Sequence, residues 1–264
     1  MRQFHDTYAS QPKLAALLRE LNWTQNLLIL ARAKRQEERE FYLRLCVREK
    51  WPSRELERQL ASALFERTVL APPKLAPLVR ELHPAAATLF KDTYLLEFLD
   101  LPDDHSESDL QRALVANLKR FLIELGRDFA FVGEQYLLQV GGKDFRLDLL
   151  FYRRELQCLV AFDLKIDEFQ PEFLGKMEFY LEALDRDVRK PHERPSIGVL
   201  LCATKDNEVV EYALSGSLSP ALIAEYQTAL PDKQLLRRKL HEFYQLAMPA
   251  TETPKAKQRK SRKA

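Results

Sequence analysis

The sequence predicts a mixed α/β (α+β) domain preceded by an all-helical amino-terminal domain, and three observations favour this class. All seven glycines lie at or after Gly126, so tight turns belong to the second half and the first half is expected to be helical. Residues 145–165 alternate apolar and polar side chains, as the two strands of a hairpin do. Residues 196–203 are almost entirely apolar, which is typical of a central strand buried on both faces.

Four regions follow from this division. Residues 1–70 place apolar side chains at helical spacing and form the predicted helical domain. Residues 71–105 contain five prolines and form a predicted linker with a short helix near residues 89–99. Residues 106–248 form the predicted α/β domain, and residues 249–264 form a predicted disordered basic tail.

Two of the amino-terminal helices are separated by a short break and resemble a helix-turn-helix. Pro52 interrupts the chain, and Ser53 is suited to cap the helix that follows. Arg54, Arg58 and Gln59 are expected on the exposed side of this second helix, where they would contact DNA. The alternative is an ordinary helical bundle whose charged face is solvated.

The elements of the α/β domain follow from periodicity and turn residues. Gly126 ends the first helix, and Pro171 favours the first turn of a later one. In chain order, the predicted elements are a helix over 107–125, a strand over 135–140, the hairpin within 145–165, the helix after Pro171, a strand over 196–203, a strand over 209–214 and a closing helix over 231–246.

Three polar groups fall on one face of the predicted hairpin. Asp163 and Lys165 are two residues apart in a strand and therefore share a face. If the hairpin turns within residues 154–157, with its centre between 155 and 156, Asp148 lies opposite Asp163. Two carboxylates at that separation repel each other unless a cation lies between them. The pattern predicts a site for a hard divalent cation, Mg²⁺ or Mn²⁺.

The same residues predict a chemistry. Asp148, Asp163 and the backbone carbonyl of Leu164 are the predicted metal ligands, since Mg²⁺ suits one or two carboxylates with a carbonyl and waters. Lys165 would orient or deprotonate the attacking water or stabilise developing charge. Asp148, Asp163 and Lys165 are therefore the predicted catalytic residues of a metal-dependent phosphodiesterase.

Asp148 followed by Asp163-Leu164-Lys165 resembles the D…(E/D)xK signature of the PDDEXK nuclease superfamily. The segments VGGKDFRLDLLFY, LGKMEFYLEALD and PSIGVLLC are similar to the YhcG-type branch of bacterial PDDEXK proteins, and the likeness runs from about residue 14 to about residue 246. It implies a restriction-endonuclease-like mixed sheet flanked by helices. It also implies a longer helical lead-in, so part of the amino-terminal domain is expected to be absent. Asp163 replaces the usual Glu, and its shorter side chain would shift the metal ion or weaken its binding.

The resemblance suggests further site residues. The first core helix of PDDEXK folds often gives a Glu to the metal site, and Glu124 is the candidate; the alternative is a solvent-facing residue in a last helical turn. Gln135, with Glu134 beside it, would project toward the site. Lys176 and Tyr180 share a helix face and resemble a Q-x-x-x-Y element with Lys in place of Gln. Lys176 would contact a substrate phosphate, while Tyr180 is alternatively a core residue.

Composition argues against several other classes. Cys46, Cys158 and Cys202 lie far apart in apolar contexts, as expected for reduced thiols of a cytoplasmic protein. The five histidines never fall at zinc-ligand spacing. No uncharged run reaches the roughly 20 residues of a membrane span.

Charge is concentrated at the carboxyl terminus. The net charge is +2, but residues 255–264 hold six Lys and Arg and no acid, so the other residues carry a net charge of −4. This tail would neutralise phosphates without reading sequence; the alternative is a solubilising end. Its candidate nucleic-acid contacts are Lys255, Lys257, Arg259 and Lys260.

The sequence therefore predicts a metal-dependent nuclease that hydrolyses phosphodiester bonds in nucleic acid, with DNA favoured over RNA. The alternative is a catalytically inactive nucleic-acid-binding or assembly subunit of a DNA-processing or defence complex. No membrane partner is expected. Cutting both strands of a duplex would favour a homodimer, and a larger complex is left open.

Overall fold

The computed structural model describes residues 2–9, 11–102 and 104–247 of the 264-residue chain. The predicted tail, including Lys255, Lys257, Arg259 and Lys260, lies outside the described residues. The amino-terminal part is helical, as predicted. Its elements are α1 (Arg2–Tyr8), a 3₁₀ turn (Pro12–Leu14), α2 (Ala15–Glu20), α3 (Trp23–Arg32), α4 (Gln36–Glu49), α5 (Ser53–Ala61) and α6 (Leu64–Leu70).

The rest of the described chain alternates strands and helices. Its elements are β1 (Lys74–Leu75), α7 (Pro77–Leu82), α8 (Ala86–Leu89), β2 (Thr93–Leu95), α9 (Glu107–Ala116), α10 (Leu118–Leu125), β3 (Phe129–Val140), β4 (Lys143–Arg153), β5 (Cys158–Glu168), α11 (Phe173–Ala183), a π-helical turn (Leu184–Val188), β6 (Ile197–Thr204), α12 (Asn207–Ser215), β7 (Ala221–Gln227) and α13 (Lys233–Ala247). Within the described residues, no helix is both long and apolar enough to cross a membrane.

The strands of the described residues form one seven-stranded mixed sheet. Its order is β1-β7-β6-β5-β4-β3, and β2 also pairs with β7. Strands β3, β4 and β5 pair antiparallel, whereas β5, β6 and β7 pair parallel. The predicted fold class, a mixed sheet flanked by helices after a helical amino-terminal region, is confirmed.

The hairpin between β4 and β5 has the predicted register. Leu149 pairs with Phe162, and Arg153 pairs with Cys158 at the end next to the turn. This register sets Asp148 one residue beyond the Leu149–Phe162 pair, on the same face as Asp163.

Helices cover both faces of the sheet beside this hairpin. Phe121 of α10 meets Phe151 of β4 and Phe162 of β5 edge to face on one side. On the other side, α11 lies so close to β6 that a Cβ at Gly198 would come within 2.5 Å of the Met177 side chain. Asp163 therefore lies on the face that α11 covers, since it shares a face with Gly198 across the parallel ladder.

The segment 71–105, predicted as a linker, belongs partly to the sheet. Strand β1 pairs antiparallel with β7, and β2 pairs parallel with it. The short helix predicted near residues 89–99 is wrong in its position, because α8 ends at Leu89 and Thr93–Leu95 is a strand. Tyr94 and Leu95 are buried against the sheet, and this tertiary pairing overrides the local pattern.

Two more predicted elements differ from the structure. Residues 209–214 were predicted as a strand but belong to helix α12. The Asp206 carboxylate accepts hydrogen bonds from the backbone N–H groups of Glu208 and Val209 and so caps this helix. The predicted helix over 107–125 is two helices, because the backbone leaves helical geometry at Asn117.

The closing helix α13 packs against the amino-terminal helices. Leu240 is buried in the apolar cluster of those helices. Arg237 Nε lies 3.1 Å from the Glu66 carboxylate, and Lys233 donates to the Leu60 carbonyl. The predicted domain boundaries remain predictions, but the last helix and the first helices share one core.

Candidate active site

The β4–β5 hairpin brings Asp148, Asp163 and Lys165 together. Asp148 is half-buried on β4, and its Oδ2 accepts a 2.8 Å hydrogen bond from the backbone N–H of Leu164 on β5. Because this bond joins a side chain to the neighbouring strand, the sheet itself fixes the Asp148 carboxylate beside Asp163. Alternation along β5 then places Lys165 on the same side as Asp163.

Asp163 is fully buried between two lysines. Lys165 Nζ lies 2.9 Å from Asp163 Oδ2, and Lys176 Nζ lies 2.9 Å from Oδ1. Within the described residues, the Lys165 ammonium is the partner of Oδ2, in an ion pair whose angles fall outside hydrogen-bond geometry. Lys165 instead directs a 2.8 Å hydrogen bond to the Leu164 carbonyl.

The charges of the site shift one another. Burial raises the pKa of Asp148, the Leu164 N–H opposes this shift, and the negative charge of Asp163 adds to it. Burial works to lower the pKa of both Lys165 and Lys176, yet the Asp163 carboxylate holds each lysine pKa above its ordinary value. The site thus has two lysines that stay charged and a carboxyl, Asp148, with an increased affinity for protons.

Gln135 reaches this site through an unusual backbone. It lies opposite Asp148 on β3 with φ of +43°, a left-handed conformation that costs a non-glycine residue roughly 1–2 kcal/mol. Its Nε2 donates to Gln111 Oε1 at 2.7 Å and approaches Asp148 Oδ1 at 3.4 Å. Gln111 also donates to the Asp148 backbone carbonyl at 3.3 Å. The strained strand residue and the buried helix residue together hold the Asp148 position.

Helix α9 adds Glu107, which the sequence reasoning missed. Glu107 Oε1 lies 3.3 Å from Lys165 Nζ. Ser106 and Asp109 form a capping box that starts the helix here. Glu107 and Gln111 are four residues apart and share a helix face, so both reach the site. This i, i+4 pair directly after a capping box was the signal available in the sequence.

Glu124, the predicted contribution of the first core helix, lies elsewhere. It is fully buried and not solvent-facing, so neither interpretation of the sequence matches its surroundings. Its carboxylate pairs with Lys91 at 2.8 Å and Arg58 at 2.9 Å. Burial opposes its ionisation, but Lys91 and Arg58 outweigh burial and hold the pKa of Glu124 at about 2.

The predicted DNA-reading face of α5 is also placed differently. Arg58 contacts Glu97 at 2.6 Å as well as Glu124, and Gln59 is fully buried. These side chains face the rest of the chain because the opposite helix faces already carry the amino-terminal core. Arg54 is exposed, as predicted. The helix-turn-helix interpretation therefore loses Arg58 and Gln59 as free contacts.

Tyr180 is buried beside the site. Its hydroxyl donates a 2.8 Å hydrogen bond to the Arg146 carbonyl, and the Lys176 ammonium lies 5.3 Å from its ring centroid. Lys176 is 48% exposed, whereas Lys165 is buried.

The described residues contain no group of three or more His, Cys, Asp and Glu side chains arranged to hold a metal. Mg²⁺ needs fewer protein ligands, because it retains several waters and commonly binds one or two carboxylates. The underpaired Asp163 Oδ2, the neighbouring Asp148 and the Leu164 carbonyl fit such an ion. In the described arrangement the Lys165 ammonium takes the cation's place between Asp163 and that carbonyl.

A mixed sheet with two carboxylates and a lysine on adjacent strands is typical of PDDEXK-type proteins. Comparison with known families supports this class. Residues 87–241 match the YhcG PDDEXK nuclease domain, and residues 1–67 match the DUF1016 N-terminal domain. The chain therefore belongs to the YhcG family of PDDEXK nuclease-domain proteins.

A curated relative and several solved structures are similar to parts of the chain. The chain is 40% identical over 215 residues to "Putative nuclease YhcG" of Escherichia coli (strain K12), a match over 80% of this chain and 57% of that protein. A repair endonuclease from Pyrococcus abyssi shares 14% identity, with a TM-score of 0.31 over 49% of this chain and 50% of that one. The structure of an EndoMS-dsDNA2 complex shares 14% sequence identity, with a TM-score of 0.32 over 50% of this chain and 47% of that one. At these TM-scores the structural likeness carries no argument about function.

Proposed function

We propose that this protein is a metal-dependent nuclease that hydrolyses phosphodiester bonds in nucleic acid. The observation that carries the proposal is the contact set of Asp148, Asp163 and Lys165 on adjacent strands, within residues that match a PDDEXK nuclease domain. Because the chain spans 57% of the length of its curated relative, the activity is inferred from this site and not transferred from the relative.

Asp148, Asp163 and the Leu164 carbonyl would hold a Mg²⁺ or Mn²⁺ ion. When bound, such an ion supplies a lowered pKa for a water molecule and neutralises charge on the scissile phosphate. The raised pKa of Asp148, which forms no ion pair among the described residues, supports this assignment, as does the Lys165 ammonium in the space beside Asp163 that an ion would take.

Lys165 has two roles in this proposal. In the described arrangement its ammonium occupies the space between Asp163 and the Leu164 carbonyl, which keeps these acceptors together. During catalysis it would turn toward the phosphate, position the attacking water and stabilise the developing negative charge. In the described arrangement the Asp163 carboxylate holds the pKa of Lys165 above its ordinary value, so Lys165 begins as a cation that can donate a proton.

The surrounding residues would position these groups. Glu107 contacts the Lys165 ammonium and would hold it as Lys165 leaves Asp163. Gln135 and Gln111 hold Asp148, and half-exposed Lys176 would contact a phosphate oxygen. Glu124 is assigned no role in catalysis, since its carboxylate is committed to Arg58 and Lys91.

DNA is favoured over RNA on the family likeness alone, and a substrate panel tests it. Wild type, Lys165→Ala and Asp148→Ala are incubated with duplex, single-stranded and branched DNA and with RNA, in Mg²⁺, Mn²⁺ or EDTA. We expect metal-dependent cleavage by the wild type of at least one DNA substrate, and its loss in both variants. Circular dichroism at matched concentration checks that each variant is folded.

The nuclease proposal is contradicted if the wild type binds nucleic acid without cutting it. It is also contradicted if the variants cut as well as the wild type. One observation favours that alternative, a nucleic-acid-binding or assembly subunit: Lys165 and Lys176 already neutralise Asp163. For such a subunit, Lys165→Ala would leave affinity almost unchanged.

Two finer points belong to the same proposal. Removing residues 249–264 should weaken binding and flatten its salt dependence, because six cations are lost. Cutting both strands of a duplex favours a two-fold pair of chains, so sedimentation with and without duplex DNA should show a dimer on the substrate.

A further inference from the structure

A cavity of about 350 Å³ lies between the amino-terminal helices and the sheet, away from Asp148 and Asp163. Its walls come from α4 and α6 on one side and from α8, α10 and the end of β4 on the other. The aromatic side chains of Phe41, Trp51 and Phe90 contribute apolar wall, and Arg153 contributes a charged group. A volume of this size suits a small molecule.

Arg153 is the unusual member of this wall. It is only 2% exposed, and within the described part of the chain its Nε and Nη1 have no hydrogen-bond acceptor. Nη2 has only a long contact, 3.5 Å, with the carboxylate of Glu155, and the guanidinium lies 4.5 Å from the Phe129 ring centroid. Leaving charged donors buried and unpaired costs several kcal/mol, so an acceptor is expected here.

Glycine at position 126 leaves a small space beside the Arg153 guanidinium and the Glu49 carboxylate. Gly126 is itself part of the cavity wall. A Cβ at this position would lie 3.7 Å from Arg153 Nη1 and 3.4 Å from Glu49 Oε2. The missing side chain therefore leaves a gap between Nη1 and the Glu49 carboxylate, whose oxygens accept hydrogen bonds from Arg48 and from the Arg127 backbone N–H.

The charge of the wall favours an anion. Five lining residues are cationic and two are acidic. The acids are already engaged, because Glu49 pairs with Arg48 and Asp92 pairs with Lys205. Arg67 and Lys91 are also partnered, Arg67 by backbone carbonyls and Lys91 by Glu124. Arg44 pairs with Glu40, so Arg153 is the cation of the wall with buried donors that lack an acceptor among the described residues.

We propose that this cavity binds a small organic anion, with its acidic group on Arg153 and a flat apolar body against Phe41, Trp51 and Phe90. The ligand would contact both the amino-terminal helices and the sheet and so link them. Arg153 stands five residues from Asp148 on β4, so the cavity and the candidate active site lie on opposite faces of the same strand. The inference does not depend on the proposed nuclease activity, since binding is read directly.

The test uses the full chain and 8-anilinonaphthalene-1-sulfonate, a fluorescent dye with a sulfonate on an aromatic body. Arg153→Gln removes the guanidinium, and Ala87→Trp fills the cavity from an exposed lining position on α8. Arg154→Gln is the matched control, because Arg154 is the next residue, is 73% exposed and is absent from the wall. We expect saturable binding of about one dye per chain in wild type and Arg154→Gln.

Both cavity variants should weaken dye binding about tenfold or more, the effect of losing a hydrogen bond to a charged group or the space for the ligand. Equal affinity in wild type and Ala87→Trp would overturn the proposal, and this arm does not require Arg153→Gln to fold. No saturable binding to folded wild type would overturn it as well.

Competition separates the two halves of the ligand. Naphthalene-2-sulfonate should displace the dye, while 2-naphthol and inorganic sulfate should each need a concentration about tenfold higher or more. If sulfate competes as well as the naphthalenesulfonate, the apolar wall plays no part. If 2-naphthol does so, Arg153 plays none. Either result overturns the inference.

Discussion

Asp163 and Glu124 are both fully buried carboxylates held between two cationic side chains, yet their surroundings differ. Glu124 Oε1 accepts hydrogen bonds from Lys91 at 2.8 Å and from the Leu95 backbone N–H at 3.1 Å. Its Oε2 accepts from Arg58 at 2.9 Å and from Gln59 at 3.3 Å. Both of its oxygens are thus fully paired, as in a structural ion cluster.

Asp163 is less completely paired. Lys176 donates to Oδ1, but Oδ2 lacks a hydrogen-bonded partner in the described residues. One of its cations is half-exposed, and Asp148 adds a second carboxylate whose pKa is raised. Burial and charge are therefore similar at the two sites, and what separates a candidate active site from a structural cluster is unfinished pairing.

The largest effect should come from removing one charge at Asp163. Asp163→Asn removes a proposed metal ligand, so we expect cleavage to fall about 1000-fold or more, the several kcal/mol that metal stabilisation supplies. Asp167→Asn is the control, because Asp167 is exposed on the same strand. Rates are measured at saturating Mg²⁺ on the best substrate of the panel. Similar rates for the two variants would remove Asp163 from the site.

Glu124→Gln should lower stability and leave cleavage nearly unchanged. It leaves Arg58 and Lys91 without their buried partner, so we expect a loss of about 3–5 kcal/mol in the free energy of unfolding. Cleavage per folded molecule should stay near that of wild type. Denaturant titration measures the free energy of unfolding, and rates divided by the concentration of folded protein measure cleavage. Glu182→Gln, in a surface pair with Arg186, should cost no more than about 1 kcal/mol.

The two regions should also respond differently to acid. Depression of the Glu124 pKa from 4.5 to about 2 contributes roughly 3 kcal/mol of stability that is present above pH 4.5 and lost as the pH falls toward 2. Burial raises the pKa of Asp148 in the metal-free protein, so protons compete with the metal for this carboxylate. As the pH falls, cleavage should therefore fade before the fold does.

Parallel pH series of rate and of unfolding free energy check this order. Glu124→Gln should flatten the stability profile between pH 4.5 and 2 and leave the rate profile in place. If stability and cleavage fall together in wild type, and Glu124→Gln shifts both, the separation of the two carboxylates is wrong.

How much of this the sequence could predict depends on the range of the contacts. Asp148 and Asp163 could be paired because strand alternation and a short turn fix the register of a hairpin. Glu124 could not be placed, because its partner Arg58 is 66 residues away and belongs to another part of the fold. Local pattern gives a helix face but does not say which distant element covers it.

Helix boundaries account for most of the other misses. The prediction of one helix over residues 107–125 placed the candidate site residue, Glu124, in its last turn. In the structure it is Glu107, in the first turn, that reaches the site. At 209–214, Val210 and Leu214 are buried four residues apart, but the short apolar run also permits a strand. The cap from Asp206 decides between them, and caps are recognised only once the boundary is suspected.

Glu107 offers an intermediate test of the comparison. Glu107→Gln keeps the side-chain shape but removes a charge 3.3 Å from Lys165, so we expect about a tenfold loss of cleavage, typical of a partner that orients a catalytic group. Glu134→Gln is the control, since Glu134 is exposed on nearby β3. The pH profile of the rate should move in Glu107→Gln only. Equal rates for the two variants would leave Glu107 as a surface charge.

The smallest effect is expected at Lys176, the exposed cation of the Asp163 site. Lys176→Met keeps most of the side-chain length but removes one phosphate contact, so affinity for nucleic acid should fall several-fold and the salt slope of binding by about 1. Lys143→Met, exposed at the start of β4, is the matched control. Fluorescence anisotropy between low and high salt measures both slopes.

Asp163 tolerates the loss of Lys176 because Lys165 remains 2.9 Å away, whereas all four donors to Glu124 are already used to pair its two oxygens. An unchanged slope in Lys176→Met would mean that Lys176 serves Asp163 alone, which would make the two carboxylates more alike than their pairing indicates.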